Sequence, residues 1–330
     1  MSYWRRMVCS LAHTAGATRL LERSAGVRIV TYHSVAPASA NGMPESQTVA
    51  LFRDQLEFLR TRFRIVPLKE AVANLGDASG TKDRRPIAAI TFDDGFLDNY
   101  EHAFPCLKQL GVPATIFVVT DFVDQGRVPW PTRLYEVMLQ ARRIAHPAYP
   151  GIDLRSRVAR CAAAYTFKSL LAPLEPHARF AAIDKLADDL EAPPSQYRPL
   201  TWDQVRIMAS AGIAFGSHTV FHSILPEMSD EVVEMELGVS RTRLEAELGE
   251  ECSTVAYPNG GFDSRILRMT QRCGYRVGVT QQAGSNSQRS DVLALCRVHI
   301  PPHCTQGVVA MLLLRAAWQE PWDRATRHFA

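Results

Sequence analysis

The chain has 330 residues, of which 46% are hydrophobic and 22% charged, and a formal net charge of +3. That length supplies one large α/β domain or two small ones, with ample chain for a full core, and the composition excludes the disordered and fibrous classes. The small net charge, with no long Lys/Arg block, argues against a nucleic-acid partner.

The N-terminal Trp4-Arg-Arg-Met-Val-Cys-Ser-Leu-Ala12 has a basic start. However, His13, Arg19, Glu22 and Arg23 arrive before any apolar core long enough for a signal peptide or a membrane span. Residues 1–26 therefore read as a helical segment covering one end of the fold. The alternative is an amphipathic helix resting on a membrane surface, attached peripherally to the inner membrane. Seven cysteines (Cys9, Cys106, Cys161, Cys252, Cys273, Cys296, Cys304) form an odd set without C-x-x-C spacing. Scattered reduced thiols fit them better than a disulfide framework, which points to the cytoplasm.

From Val27 the pattern alternates strand and helix. Val27 to Val35 is a strand by its β-branched content, with His33 near its end, and a polar loop runs on through Pro44. Val49 to Phe63 has a helical apolar face, Arg64 to Leu68 is a short extended piece, and Gly76 to Arg85 is a loop. Pro86 to Thr91 reads as a buried strand, a helix follows from Asn99 to Leu110, and Ala114 to Val119 is the next strand. From Asp124 to Pro199 the period breaks, and Pro-rich turns separate helical segments at Arg133 to Ala145, Leu154 to Leu170 and Ala178 to Leu190. This stretch is a helical insertion in one βα loop, placed where it shapes substrate access. Its Trp130, Tyr135 and Tyr165 are candidates to stack on sugar rings, with a core role the stronger reading.

The period then resumes. Thr201-Trp-Asp-Gln204 is a capping box, Ile213 to Gly216 a strand, and Asp230 to Leu248 a long helix capped by Ser229. Strands at Thr254 to Pro258, Tyr275 to Thr280 and Leu293 to Ile300 alternate with a helix from Asp263 to Cys273, and Thr305 to Trp318 closes the chain as a helix. Seven or eight strands alternating with helices are the signature of a parallel barrel.

Two stretches carry chemistry. Asp93 and Asp94 end the buried strand at a glycine, and adjacent acids usually serve as a metal ligand beside a general base. A helix cap at Asp94-Gly95 explains the pair equally well. His218 and His222, four apart after a strand, put two imidazoles on one face of a helical turn. With Asp94 they give two nitrogens and one oxygen, the open three-ligand set of a catalytic zinc site.

In this order, Thr91-Phe-Asp-Asp-Gly95, Ser217-His-Thr-Val-Phe-His222 and Tyr257-Pro-Asn-Gly260 resemble the polysaccharide deacetylases, carbohydrate esterase family 4 with the nodulation-deacetylase homology domain. Thr201-Trp-Asp-Gln-Val205 and Leu293-Ala-Leu-Cys-Arg-Val298 look like flanking family features, so the likeness covers Val27 to Pro301. The Tyr32-His33 strand is similar to members acting on exopolysaccharides and poly-N-acetylglucosamine. The resemblance implies a distorted (β/α)7-8 barrel over residues 27–305, with the insertion at about 124–199 and a C-terminal helix and tail over 306–330. It implies that Asp93 is the base activating metal-bound water, and that Asp94, His218 and His222 hold a divalent metal, zinc first, with cobalt, nickel or manganese tolerated. It also implies a substrate and oxyanion role for the turn Tyr257, Pro258, Asn259 and Gly260, with Asn259 supplying the N–H; by composition alone Pro-Asn-Gly reads first as a plain turn.

Two positions depart from the family pattern. The Arg that orients the catalytic Asp is Ala256 here, and Arg297 on a neighbouring strand is a candidate replacement. The final Leu-x-His motif becomes Leu295-Cys-Arg-Val-His299, which keeps His299 on the same strand face and eligible as general acid, with His33 competing. The expected function is metal-dependent removal of N-acetyl groups from the sugars of a bacterial-type polysaccharide or its precursor. The alternatives are a hydrolase of the same fold acting on an O-acetyl ester, formamide or cyclic imide, and an inert carbohydrate-binding relative. Oligomeric state is not legible.

Overall fold

The computed structural model describes residues 26–37, 46–75, 83 and 85–319. The segment expected over residues 1–26, Gly26 apart, lies outside them, as does the tail beyond Gln319.

Strands β1 (Arg28–Tyr32), β2 (Ser34–Ala36) and β3 (Ser46–Thr48) lead to helix α1 (Val49–Arg62), strand β4 (Arg64–Ile65) and helix α2 (Leu68–Ala73). Strand β5 (Ile87–Phe92) is followed by a π-helical turn (Asn99–Ala103), helix α3 (Phe104–Leu110), strand β6 (Thr115–Val118) and helix α4 (Thr120–Gln125). The insertion supplies α5 (Trp130–Gln140), α6 (Arg157–Leu171) and α7 (Pro176–Asp189). Then come α8 (Trp202–Ser210), β7 (Ala214–Ser217), α9 (Asp230–Leu248), β8 (Thr254–Ala256), α10 (Ser264–Arg272), β9 (Val277–Val279), β10 (Val298–His299) and α11 (Gln306–Ala317).

One sheet runs β10-β1-β5-β6-β7-β8-β9, with β4 also on β5. All its pairings are parallel, and every strand expected from the sequence is in it. β1 follows β5 from Ala88 to Phe92, while β4 pairs with the start of β5 and β6 with its end. β4 and β6 therefore share one edge, which distorts the barrel. The sheet curls into a half-barrel surrounded by helices. Side chains alternate as the pleat requires: Ile29, Ala89, Phe117, Ala256, Val279 and Leu295 pack together inside the curl. Val30, Ile90, Ile116 and Val255 join the core under the helices.

Four local features depart from the sequence reading. The strand expected over Leu293–Ile300 shrinks to Val298–His299, because the backbone of Cys296 bonds to the Asn286 side chain (N–H to Oδ1 2.9 Å; Nδ2 to O 2.9 Å) instead of a ladder. The helix expected from Asn99 opens as a π turn before Pro105, which has no N–H to donate to Glu101. The loop after His33 contains the ribbon β2–β3, paired parallel from Ser34↔Ser46 to Ala36↔Thr48. The fourth, the histidine segment, is described with the site below.

The insertion has its own core of Trp130, Leu134, Val137, Leu154, Ile183 and Leu186, with Ile224 from the histidine side packed against it. The Thr201–Gln204 capping box forms with both hydrogen bonds, and α9 spans its expected range. Among the described residues no helix is long and apolar enough to cross a membrane, and no disulfide joins the described cysteines.

Candidate active site

The polar residues singled out in the sequence gather where strands end, the face on which parallel barrels place their sites. His33 follows β1, Asp93 and Asp94 follow β5, His218 follows β7, the Pro258–Gly260 turn follows β8 and His299 ends β10.

Asp93 is fully buried, and its backbone N–H donates to the Tyr32 carbonyl at 3.0 Å. Arg297, itself buried, grips it with a two-pronged fork, Nη1 to Oδ1 at 2.7 Å and Nη2 to Oδ2 at 2.6 Å. The guanidinium is fixed from behind by Nε donating to the Thr280 carbonyl at 2.8 Å and lies over the Phe117 ring. Ala256 belongs to the same interior cluster as Phe117, so the cation missing from β8 is supplied by the segment leading into β10. Burial opposes the charge on Asp93; Arg297, with His218 and His33, overrides it and holds the carboxyl well below the usual carboxylate range. Gln281 adds a contact that the sequence reading missed, Nε2 to Oδ2 at 3.2 Å.

Asp94 does not cap a helix. Its φ is 73°, outside the extended region of an N-cap, and its Oδ1 lies 3.5 Å from His218 Nε2 and 3.4 Å from His222 Nε2. Gly95 continues the left-handed turn, and a Cβ there would stand 2.8 Å from Val118 Cγ1. The ligand atoms of Asp94, His218 and His222 all fall within 4.8 Å of one another. These residues fit a divalent cation. Burial pushes His218 down to about 4 and His222 well below its ordinary value, so both rings are neutral. His218 Nδ1 meets the Ala256 carbonyl at 2.7 Å, which puts the proton on Nδ1 and the lone pair on Nε2, facing Asp94.

The two histidines are not on a helical turn, as their spacing predicts. Residues 218–222 form a loop with positive φ at Thr219 (67°) and His222 (57°), which still brings the rings to 4.8 Å between centroids. Its backbone groups are held from three sides. Thr120 and Asp121, opening α4, donate their N–H groups to the carbonyls of Thr219 (3.2 Å) and Val220 (3.1 Å). Glu236 Oε2, from α9, accepts the N–H groups of Val220 (2.7 Å) and Phe221 (2.8 Å). Trp130 Nε1, from the insertion, donates to the His222 carbonyl at 2.9 Å, and Arg179 lies over the Trp130 ring while reaching Ser223 Oγ at 3.4 Å. Glu236 and Arg179 are fully buried, and neither is in the sequence-derived set.

A cleft of about 1170 Å³ opens above these groups. Ala36, Ser46 and Gln47 of the β2–β3 ribbon line one side; Tyr135, Glu136, Arg157 and Lys168 of the insertion line another. His33 and His299 both line it, with ring centroids 5.4 Å apart, and His33 Nε2 is 4.0 Å from Asp93 Oδ2. Of the Tyr257–Gly260 turn, only Asn259 faces the cleft. Tyr257 is buried with its N–H on the Val279 carbonyl and its hydroxyl on that of Leu293. Pro258 is buried and has no N–H, and the N–H of Gly260 donates to the Tyr257 carbonyl at 2.8 Å. Trp130 is core, Tyr135 reaches the cleft, and Tyr165 is 76% exposed outside it.

A half-barrel of parallel strands with its polar side chains converging at their C-terminal ends is the architecture of an enzyme. Residues 80–278, more than half of the chain, match the family model described as polysaccharide deacetylase, so the chain belongs to the polysaccharide deacetylase family and is a deacetylase enzyme. YxkH of Bacillus subtilis (strain 168), which carries a polysaccharide deacetylase name, is 23% identical over 285 residues, covering 85% of this chain and 74% of YxkH. Two solved structures share the fold. Streptococcus pyogenes deacetylase PplD in complex with acetate has a TM-score of 0.60 at 21% identity, with 88% of this chain and 99% of that one covered. IcaB from Ammonifex degensii has a TM-score of 0.56 at 20% identity, with 88% and 97% covered.

Proposed function

We propose that this enzyme is a metal-dependent N-deacetylase that removes acetyl groups from N-acetylated sugars of a bacterial-type polysaccharide or its precursor. One observation carries the reading: an ionised, fully buried Asp93 locked by Arg297 stands directly beside the Asp94, His218 and His222 cluster at the base of a glycan-sized cleft.

Asp94, His218 and His222 would hold the cation, zinc first by its nitrogen and carboxylate donors. When bound, such a cation supplies Lewis acidity, lowering the pKa of water and polarising a carbonyl oxygen. The residues of the chain do the rest. Asp93 accepts the proton of the attacking water at a carboxylate oxygen, and the water oxygen adds to the acetamide carbon. Arg297 keeps Asp93 in the base form and fixes its two oxygens, while Gln281 holds Oδ2 from the cleft side. Asn259 sits where the turn can offer a donor to the developing oxyanion. His299, beside His33, protonates the departing amine, so the C–N bond breaks to acetate and a free amino sugar.

The test separates base from ligand. Asp93→Asn should retain metal while losing acetate release from N-acetylglucosamine oligomers by roughly a thousandfold; His222→Ala should lose both. Tight metal binding with no acetate from any N-acetylated sugar would contradict the reading and favour an O-acetyl, formamide or cyclic-imide substrate, or carbohydrate binding alone.

A further inference from the structure

We infer that Asn99 and Gln47 are positioning residues for the histidine pair His33 and His299. They are two buried amides at opposite ends of one hydrogen-bonded network, and they hold the main chain of the two segments so that the rings meet. The inference rests on the N-deacetylase reading above and deepens it by assigning what sets the proton-donating end of the site.

β1 and β10 are neighbours in the sheet, with Thr31 opposite His299, and the ladder ends there with the N–H of Ile300 on the Thr31 carbonyl at 3.2 Å. The two histidines thus stand at the limit of the strand pairing, and side chains take over from the ladder. Asn99 Nδ2 donates to the His33 carbonyl at 2.9 Å. Gln47 Nε2 donates to the carbonyls of Ile300 (3.1 Å) and Pro301 (2.5 Å). Both amides are buried, so their hydrogen bonds act in a low dielectric and leave a costly unpaired carbonyl if removed.

The two amides are joined through the β2–β3 ribbon. Asn99 Nδ2 also donates to Asp98 Oδ1 at 2.9 Å, Asp98 Oδ2 accepts the Ser34 hydroxyl, and Ser34 Oγ meets Ser46 Oγ at 2.9 Å. Ser46 precedes Gln47, whose Oε1 accepts from Gln55 Nε2 of α1 at 3.3 Å. The same nitrogen reaches the Cys304 carbonyl at 2.6 Å. The network therefore ties the segment after β5, which begins with Asp93 and Asp94, to the exits of β1 and β10. It grips the backbone at residue 33 itself and at the residue after His299. At the point so fixed the rings stand edge to face, 5.4 Å between centroids, with His33 Nε2 4.0 Å from Asp93 Oδ2. A displacement of about 1 Å at a reacting group costs on the order of a hundredfold in rate, which is the scale on which a lost carbonyl anchor acts.

Gln47→Met and Asn99→Leu remove the donors at similar volume. On N-acetylglucosamine oligomers, whose amine departs only when protonated, kcat should fall by roughly 10–100-fold with KM changed by less than about twofold. On para-nitrophenyl acetate, whose leaving group departs as an anion without an acid, the same variants should stay within about twofold of the wild type. Equal losses on the two substrates would mean a structural network only and overturn the inference, as would an unchanged kcat on the oligomers. Urea unfolding identifies a variant that does not fold, and Gln47→Asn or Asn99→Ser, polar but too short to reach, then replaces it. A second readout is independent of turnover: NMR of the protein with labelled histidine rings should show the His33 and His299 rings in contact in the wild type and separated in each variant. Rings apart in the wild type, or still in contact in both variants, overturn the inference. Should the wild type release no acetate from any N-acetylated sugar, the deacetylase reading fails, and the ring contact alone then upholds or overturns the positioning role.

Discussion

A carboxylate with no exposure to water stays charged only if a cation shares its burial, and Asp93 depends on Arg297 for this. Arg297→Met removes the partner and leaves the charge, so denaturant unfolding should show a loss of about 3–5 kcal/mol, together with a collapse of acetate release. Arg297→Lys keeps the charge but not the fork and should lose less; equal losses for the two variants would contradict the assigned role. The sequence exposed this pair through a gap, since Ala256 stands where the family places its Arg. Gln281 was not legible, because a polar residue just after a strand has no pattern that separates it from any loop residue. Asp98 offers a pH test away from Asp94, His218 and His222. Burial raises it to about 7, against the hydrogen bonds from Ser34, Val35 and Asn99. The folded state thus favours its protonated form, which adds stability at low pH that is lost as pH rises from about 4, the unfolded value, toward 7. Asp98→Asn should accordingly stabilise the protein more at pH 8 than at pH 5 in urea unfolding; the same difference at both pH values would refute the shift.

At the level of elements, the histidine loop is held by parts of the chain that precede and follow it. Glu236→Ala frees the N–H groups of Val220 and Phe221, and zinc affinity, read by competition with a chelator, should fall about 10–100-fold. Unchanged affinity would mean that the loop keeps its shape without α9. Glu236 and Arg179 were visible in principle. Glu236 falls on the buried stripe Val233, Leu237, Ser240 and Leu244, and Arg179 on the stripe Ile183, Leu186 and Leu190, and a charge on an apolar face is a candidate for buried work. The loop conformation was not visible, because i,i+4 spacing describes a helix and positive φ at Thr219 and His222 leaves no periodic trace. The β2–β3 ribbon was not legible because Ser34–Ala36 and Ser46–Thr48 are each too short to show alternation. Gly260 has φ +68°, and a Cβ there would sit 2.5 Å from the Gln281 backbone nitrogen. Gly260→Ala should displace either the Asn259 turn or Gln281, costing about 1–3 kcal/mol and lowering kcat; a variant with wild-type stability and turnover would show that the approach is not needed.

Across the whole molecule, the strands of the main sheet, expected as seven or eight, and their parallel order were legible because buried parallel strands read as apolar runs and the βα period is long enough to count. What could not be read was how the insertion docks, since Trp130 to the His222 carbonyl and Lys168 to Asn259 join residues 92 and 91 positions apart. Those contacts make the insertion a support for the catalytic face as well as a wall of the cleft. The central claim is metal-dependent deacetylation, and the most direct measurement is acetate release from N-acetylglucosamine oligomers before chelation, after it, and after zinc is restored. The account predicts release that disappears with the metal and returns with it. Release that persists through complete removal of the metal would contradict it.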